Sequence, residues 1–201
     1  MPHRFDPAHA DRLLTPERRQ MQDPEAILGA LGVSPGMCLA DVGCGPGFFT
    51  LPAAERVGGE GRVYALDIER EMVARVEERA ATAGLANVQA MLSKDAELPL
   101  PNEAVDVALV VNVLHEAPDR VRFLAEIGRT LRPGGLLGVV DWRKEEMPMG
   151  PPLRDRLSPD QVEADLRAAG FEVETAFAAG QRHYGIKARW RRSSNERAAA
   201  A

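Results

Sequence analysis

The chain is poor in several features, and each absence excludes something. Two cysteines, Cys38 and Cys44, stand among its 201 residues, too few for a disulfide framework or a four-cysteine zinc site. No apolar run approaches the ~18 residues of a membrane-spanning helix, so no membrane insertion is expected. The N-terminal MPHRFDPAHADRLL lacks the apolar stretch of a secretory leader, and a reducing cytoplasm is the expected compartment. Aromatic residues make up only 5%, which leaves little surface on which nucleic-acid bases could stack. Neither sign of charge prevails: 25 Lys and Arg against 30 Asp and Glu give a net charge of −5, unlike a surface built wholly for nucleic acid.

What the chain does have is apolar sequence in an ordered alternation. Hydrophobic residues are 45% of the total, and at about 150 residues per domain the length suits one domain with short appendages. Short apolar runs at 37–43, 61–67, 87–92, 104–114 and 136–142 read as strands. Between them lie helix-period stripes: Ile27, Leu28 and Leu31; a helix from about Gly47 to Arg56; Met72, Val73, Val76 and Ala80; then Leu124, Ile127 and Leu131. Thr15-Pro16 and Asp23-Pro24 read as helix N-caps followed by proline, and Ser158-Pro159-Asp160-Gln161 as a capping box. Two last strands, 171–179 and 183–190, suit an antiparallel hairpin. Strands alternating with helices imply an α/β fold, a largely parallel sheet covered on both faces. Its ligand is expected at the carboxyl ends of the strands. Residues 1–22 read as an N-terminal cap segment, 23–190 as the domain, and 191–201 as a basic tail; from Gln181 onward six Lys and Arg face one Glu.

The chemistry concentrates at strand ends. Asp41-Val42-Gly43-Cys44-Gly45-Pro46-Gly47 follows the first strand. Glycines at alternate positions let backbone approach a ligand closely. A dinucleotide fingerprint places its third glycine one residue later, and Asp41 would repel a pyrophosphate but suit an ammonium. Asp67 ends strand 2, where a carboxylate can accept from two ribose hydroxyls; the alternative is a surface residue capping the next helix. Asp95, past strand 3, can accept from an adenine amino group or form an Asx turn. Together these describe a pocket for an adenosine without phosphates.

DVGCGPG, VYALD, KDAELPLPNEAVDVALVVNVLHE and LRPGGLLGVVDW, in that order, resemble the motifs of class I S-adenosylmethionine-dependent methyltransferases. The chain is most similar to small bacterial members of the ubiquinone/menaquinone C-methyltransferase and arsenite methyltransferase group, methyltransferase domain type 11. The resemblance implies a Rossmann-like three-layer sandwich. Its sheet has seven strands in the order 3-2-1-4-5-7-6, mostly parallel with the last strand antiparallel. It also implies S-adenosyl-L-methionine as cofactor. By that resemblance Gly43, Gly45 and Gly47 line the methionine end with Asp41 nearby, and Asp67 holds the ribose. Ile68 and Met72 flank the adenine, Asp95 and the Ala96 amide read its edge, and Asn112 faces the sulfonium.

The acceptor is less legible. His115 follows strand 4, as a base, an acceptor-positioning group, or a strand-end packing residue. Asp141 follows strand 5, orienting an acceptor or serving a salt bridge. Tyr184 either reaches the pocket mouth or packs in the core, and Arg156 either clamps an anionic acceptor or sits on a surface loop. Segment 3–7 is too polar for core and can fold over the cofactor as a cap. Cys38 and Cys44 lie in or beside one strand, which disfavours arsenite, and no Asn/Asp-Pro-Pro-aromatic motif follows strand 4, which disfavours amino methylation of bases. The expected function is methyl transfer to a small-molecule acceptor, in a monomer or homodimer, with no metal. The alternatives are a cofactor-binding sensor without turnover, an oxidoreductase on the same fold, and an RNA methyltransferase using the basic C-terminal strand.

Overall fold

The computed structural model describes residues 14–191. The expected cap at 3–7 and nearly all of the tail lie outside the described residues. A six-residue helix, α1 (Pro16–Met21), and α2 (Pro24–Leu31) come first, and each has proline at its start. The Thr15 and Asp23 side chains accept from their first turns. Then come β1 (Cys38–Val42), α3 (Thr50–Val57), β2 (Arg62–Asp67), α4 (Arg70–Thr82), β3 (Val88–Leu92) and β4 (Val105–Val111). Last are α5 (Arg120–Thr130), β5 (Leu131–Trp142), α6 (Pro159–Ala168), β6 (Phe171–Ala178) and β7 (His183–Trp190).

The seven strands form one sheet in the order β3-β2-β1-β4-β5-β7-β6. β7 runs antiparallel to both of its neighbours and the other pairings are parallel. Residues alternate between faces with period two. Leu39, Val63, Val107, Leu109 and Val140 pack with Ile27, Leu28 and Leu31 of α2 and Ala53, Ala54 and Val57 of α3. Ala40, Leu66, Ala108, Val110 and Val139 pack with Phe123, Leu124 and Ile127 of α5 and Val162 and Leu166 of α6. Buried leucines such as Leu28, Leu109 and Leu124 are fully enclosed, each contributing about 1.5–3 kcal/mol by removal from water.

Two boundaries differ from the sequence reading. Residues 46–49 form a turn, and the helix opens only at Thr50, with no side-chain cap. β5 starts at Leu131 rather than 136, because Pro133 and Gly134 sit in an irregular stretch. The register against β4 shifts there, Gly134 takes φ +79, and a bulge tolerates a proline that regular pairing would not.

Within the described residues, three basic side chains of β7 and its end are paired with acidic ones. Arg189 pairs with Glu174 across the β6–β7 ladder at 2.5 Å, Lys187 approaches the same carboxylate, and Arg191 pairs with Glu172.

Candidate cofactor and acceptor site

A cavity of about 910 Å³ opens at the carboxyl ends of β1 to β5, roofed by α1. That volume lies near the top of the ~300–1,000 Å³ usual for small-molecule pockets, room for a cofactor and a second molecule.

The glycine turn forms one wall. Gly43 and Cys44 N–H groups both donate to Leu66 O at 2.7 and 3.0 Å, which ties the end of β1 to β2. Gly43 has φ +73, and a Cβ there would lie 2.4 Å from Val113 Cγ2, so glycine permits both the turn and its contact with the β4 loop. Arg79 of α4 donates to Pro46 O and clamps the outer side. Gly43 and Gly45 line the cavity, while Gly47 packs behind it against Leu51 and Val76.

Asp67 closes β2. Its Oδ2 accepts from Gly45 N at 2.8 Å and its Oδ1 from Glu69 N at 2.9 Å. An ionised carboxylate oxygen accepts twice, so each keeps one site for a vicinal diol. Burial raises its pKa, the charge of Glu69 adds to this, and the backbone N–H groups of Glu69, Gly45 and Ile68 work against the rise. Ile68, Met72 and Asp95 continue this wall with Ser93 and Lys94. Ala96 is half-buried and does not line the cavity.

Asp41 does not line the cavity either. It is 2% exposed and accepts from Thr50 Oγ1 of α3 at 2.6 Å. Burial pushes its carboxyl up to about 6; the Thr50 bond and the charge of Arg18 oppose this, and the charge of Asp67 adds to it.

Asn112, past the end of β4, adopts φ +58, a left-handed conformation that asparagine tolerates better than most side chains. Its Nδ2 donates to Gln22 Oε1 at 3.3 Å. That leaves Asn112 Oδ1 and Gln22 Nε2 buried without hydrogen-bond partners among the described residues, an acceptor and a donor side by side. An amino-acid head, ammonium and carboxylate together, satisfies both.

On the β4–β5 side, His115 Nδ1 lies 2.8 Å from Asp141 Oδ1. Asp141 is fully buried and also accepts from Trp142 N at 2.8 Å and His115 N at 3.3 Å. A carboxylate only accepts, so Nδ1 carries the proton and Nε2 keeps its lone pair. Burial would lower the His115 pKa, but the Asp141 bond and the charges of Asp141, Glu116 and Asp155 outweigh it and hold the value above 6.5. His115 lines the cavity and Asp141 stands behind it.

Tyr184 does not reach the cavity. Its hydroxyl donates to Leu157 O at 3.0 Å within the core. Arg156 is no surface residue: it is 3% exposed and donates to the carbonyls of Pro151, Glu145 and Met149 at 2.7–2.8 Å.

Sequence reasoning missed part of the lining: Arg18 and Met21 of α1, Gln22 just past it, Trp142, and His183. Arg18 lies over the Phe48 ring, 4.4 Å from its centroid. The prolines and caps around α1 were its only signals, because six mostly polar residues show no periodicity.

A family model described as a methyltransferase domain matches residues 40–139. A SAM-dependent methyltransferase from Aquifex aeolicus, known from its crystal structure, is 35% identical with a TM-score of 0.89; the match covers 92% of this chain and 99% of that one. A demethylmenaquinone methyltransferase of Geobacillus stearothermophilus is 32% identical over 131 residues, 64% of this chain and 56% of that protein. An arsenite methyltransferase of Halobacterium salinarum is 31% identical over 151 residues, 70% and 39% respectively. The chain thus spans about half the length, or less, of these two curated relatives. The family's cofactor is S-adenosylmethionine, and the diol-accepting Asp67 and the unpaired Asn112–Gln22 couple fit its ribose and its amino-acid head. By sequence, fold and the chemistry of its strand ends, the chain belongs to the S-adenosylmethionine-dependent methyltransferases.

Proposed function

We propose that the chain methylates a small molecule, with His115 as the general base and Asp141 as the residue that positions it. When bound, S-adenosylmethionine supplies a methyl group on a positively charged sulfur, an electrophile with a good leaving group. The protein's share is then alignment and proton management. Gly43, Gly45 and Asp67 hold the nucleoside, and Asn112 and Gln22 hold the amino-acid head. His115 Nε2 takes the proton of an acceptor O–H or N–H. Asp141 fixes the tautomer that makes this possible and stabilises the imidazolium that forms.

The observation that carries this reading is the 2.8 Å His115–Asp141 contact beside the cavity. The cavity's other walls, Phe123, Trp142, Met149 and Pro151, are apolar and suit a small organic body.

The curated relatives' acceptors do not transfer directly. Cys38 opens β1 and Cys44 follows it, so about six residues at ~3.3 Å each place the thiols near opposite ends of the strand, roughly 20 Å apart. Burial pushes the Cys44 thiol well above its ordinary value, and among the described residues no cluster of three or more His, Cys, Asp or Glu is placed to hold a metal. That weighs against a metalloid acceptor. The cross-strand ion pairs of Lys187, Arg189 and Arg191 weigh against RNA.

The test is incubation of the full chain with methyl-labelled S-adenosylmethionine and separated small-molecule, protein and RNA fractions of a bacterial extract. Label is expected in the small-molecule fraction. Label in RNA or protein overturns the reading, as does cofactor binding without any transfer, the behaviour of a sensor.

A further inference from the structure

The acceptor half of the cavity holds a second histidine that the proposed reaction does not use. His183 opens β7, and its register partner on β5 is Trp142. Their rings lie 4.2 Å apart between centroids, tilted by 48°. His183 lines the cavity and is 1% exposed, yet neither ring nitrogen has a hydrogen-bond partner among the described residues. Buried polar atoms are ordinarily paired, so an imidazole with both nitrogens unpaired on a cavity wall points to a partner beyond the described residues, and the cavity it faces is where a ligand would supply one.

The charges around this ring share one sign. Burial first, then Arg18, Arg182, Arg143 and Arg156, push its pKa down to about 3. The ring is therefore neutral, one nitrogen a donor and the other an acceptor. Among the described residues Arg156 hydrogen-bonds only to carbonyls, which do not cancel its positive charge, and Arg182 Nη1 is buried without a hydrogen-bond partner. His115 has the opposite surroundings: Asp141, Glu116 and Asp155. Asp141 and Trp142 are neighbours on β5, so their side chains leave opposite faces of the sheet. His115 follows Asp141 to one face and His183 follows Trp142 to the other. The acceptor half thus runs from an acidic flank to a basic one.

The cofactor's amino-acid head does not account for the basic flank. Asn112 follows the end of β4 and His183 opens β7, two strands apart in the sheet, or roughly 10 Å at ~4.8 Å per strand.

We infer that the acceptor is a small carboxylic acid, its carboxylate hydrogen-bonded by His183 in the field of the four arginines and its methyl-accepting group at His115. Phe123, Trp142, Met149 and Pro151 enclose its apolar body. This inference rests on the methyltransferase reading.

The test uses the full chain loaded with S-adenosylhomocysteine and titrated calorimetrically with benzoate and with benzamide, which match in shape and differ in charge. Benzoate is expected to bind about tenfold more tightly or better, as a charge-assisted hydrogen bond allows. His183→Ala and His183→Phe are expected to abolish the difference while the affinity for S-adenosylhomocysteine stays unchanged, which also reports that both variants fold. Equal binding of the two probes, no binding of either at millimolar concentration, or a benzoate preference that survives in both variants overturns the inference and leaves the methyltransferase reading intact. Failure of S-adenosylhomocysteine to bind the wild type overturns both.

Discussion

The Gly45 amide donates to Asp67 Oδ2 at 2.8 Å, so the turn after β1 and the tip of β2 form one unit across 22 positions of sequence. The carboxylate proposed to accept from a ribose also holds the glycine turn in place. Removing it costs both functions. Asp67→Ala is expected to weaken S-adenosylhomocysteine binding by about 10- to 100-fold, the scale of one or two hydrogen bonds to a charged group. Asp67→Asn, with one acceptor oxygen left, should fall between. Isothermal calorimetry measures both, and an unchanged affinity in Asp67→Ala contradicts the assignment.

His115 acts as a base only when neutral. Its pKa is held above 6.5 by Asp141, Glu116 and Asp155 against the effect of burial. The transfer rate should therefore rise with pH through that elevated value and level off above it. His115→Gln should lose this limb and lower kcat by about 10²- to 10⁴-fold with S-adenosylhomocysteine affinity unchanged. In Asp141→Asn the limb should move to lower pH, because the charge that raised the imidazole is gone. A wild-type profile without the limb, or one that His115→Gln leaves intact, rules out the base.

Asp41 gives a stability test independent of turnover. Its folded-state value of about 6 exceeds its ordinary 3.8, so the folded chain binds this proton more readily than the unfolded one. The carboxyl's contribution to stability must fall as pH rises from about 4 to about 6, by at most about 3 kcal/mol at ~1.4 kcal/mol per unit. Asp41→Asn keeps an acceptor for Thr50 and should lack that slope. Urea unfolding across pH 4–8 compares the two, and parallel curves contradict the buried ionised carboxylate.

Arg156 organises segment 143–151 through four hydrogen bonds to backbone carbonyls. Arg156→Met leaves those carbonyls unpaired and should cost about 3 kcal/mol. Arg156→Lys, a point charge without the fork, should recover only part of it. Denaturant midpoints give the magnitudes, and a loss below about 0.5 kcal/mol in Arg156→Met, as for an ordinary surface substitution, contradicts this role.

The frame was legible because its signals are local. Apolar runs mark β1, β2 and β4, with Gly43 closing the first and Gly61 preceding the second; proline after Thr15, Asp23 and Ser158 marks helix starts; and the glycine turn with Asp67 points to the ligand expected there. Where long-range contacts decide, the sequence was silent. Arg156 reads as a loop arginine until the loop folds around it. His183 acquires its meaning from Trp142 on a strand 41 positions earlier. Gln22 matters because Asn112, 90 positions later, turns toward it. Tyr184, second in its strand, reads from sequence as either a pocket-mouth or a core residue; its hydroxyl bonds Leu157 O in the core, while its neighbour His183, on the other face by period-two alternation, lines the cavity.

The central claim is that the strand tips bind an unphosphorylated nucleoside joined to an amino-acid head. Calorimetric titration of the full chain with S-adenosylmethionine and, separately, with NADH tests it most directly. One S-adenosylmethionine per chain, bound about 10- to 100-fold more weakly in Asp67→Ala and as tightly in His183→Ala, with no heat from NADH, is the expected result. Saturable NADH binding that displaces S-adenosylmethionine, or S-adenosylmethionine binding indifferent to Asp67, would contradict it.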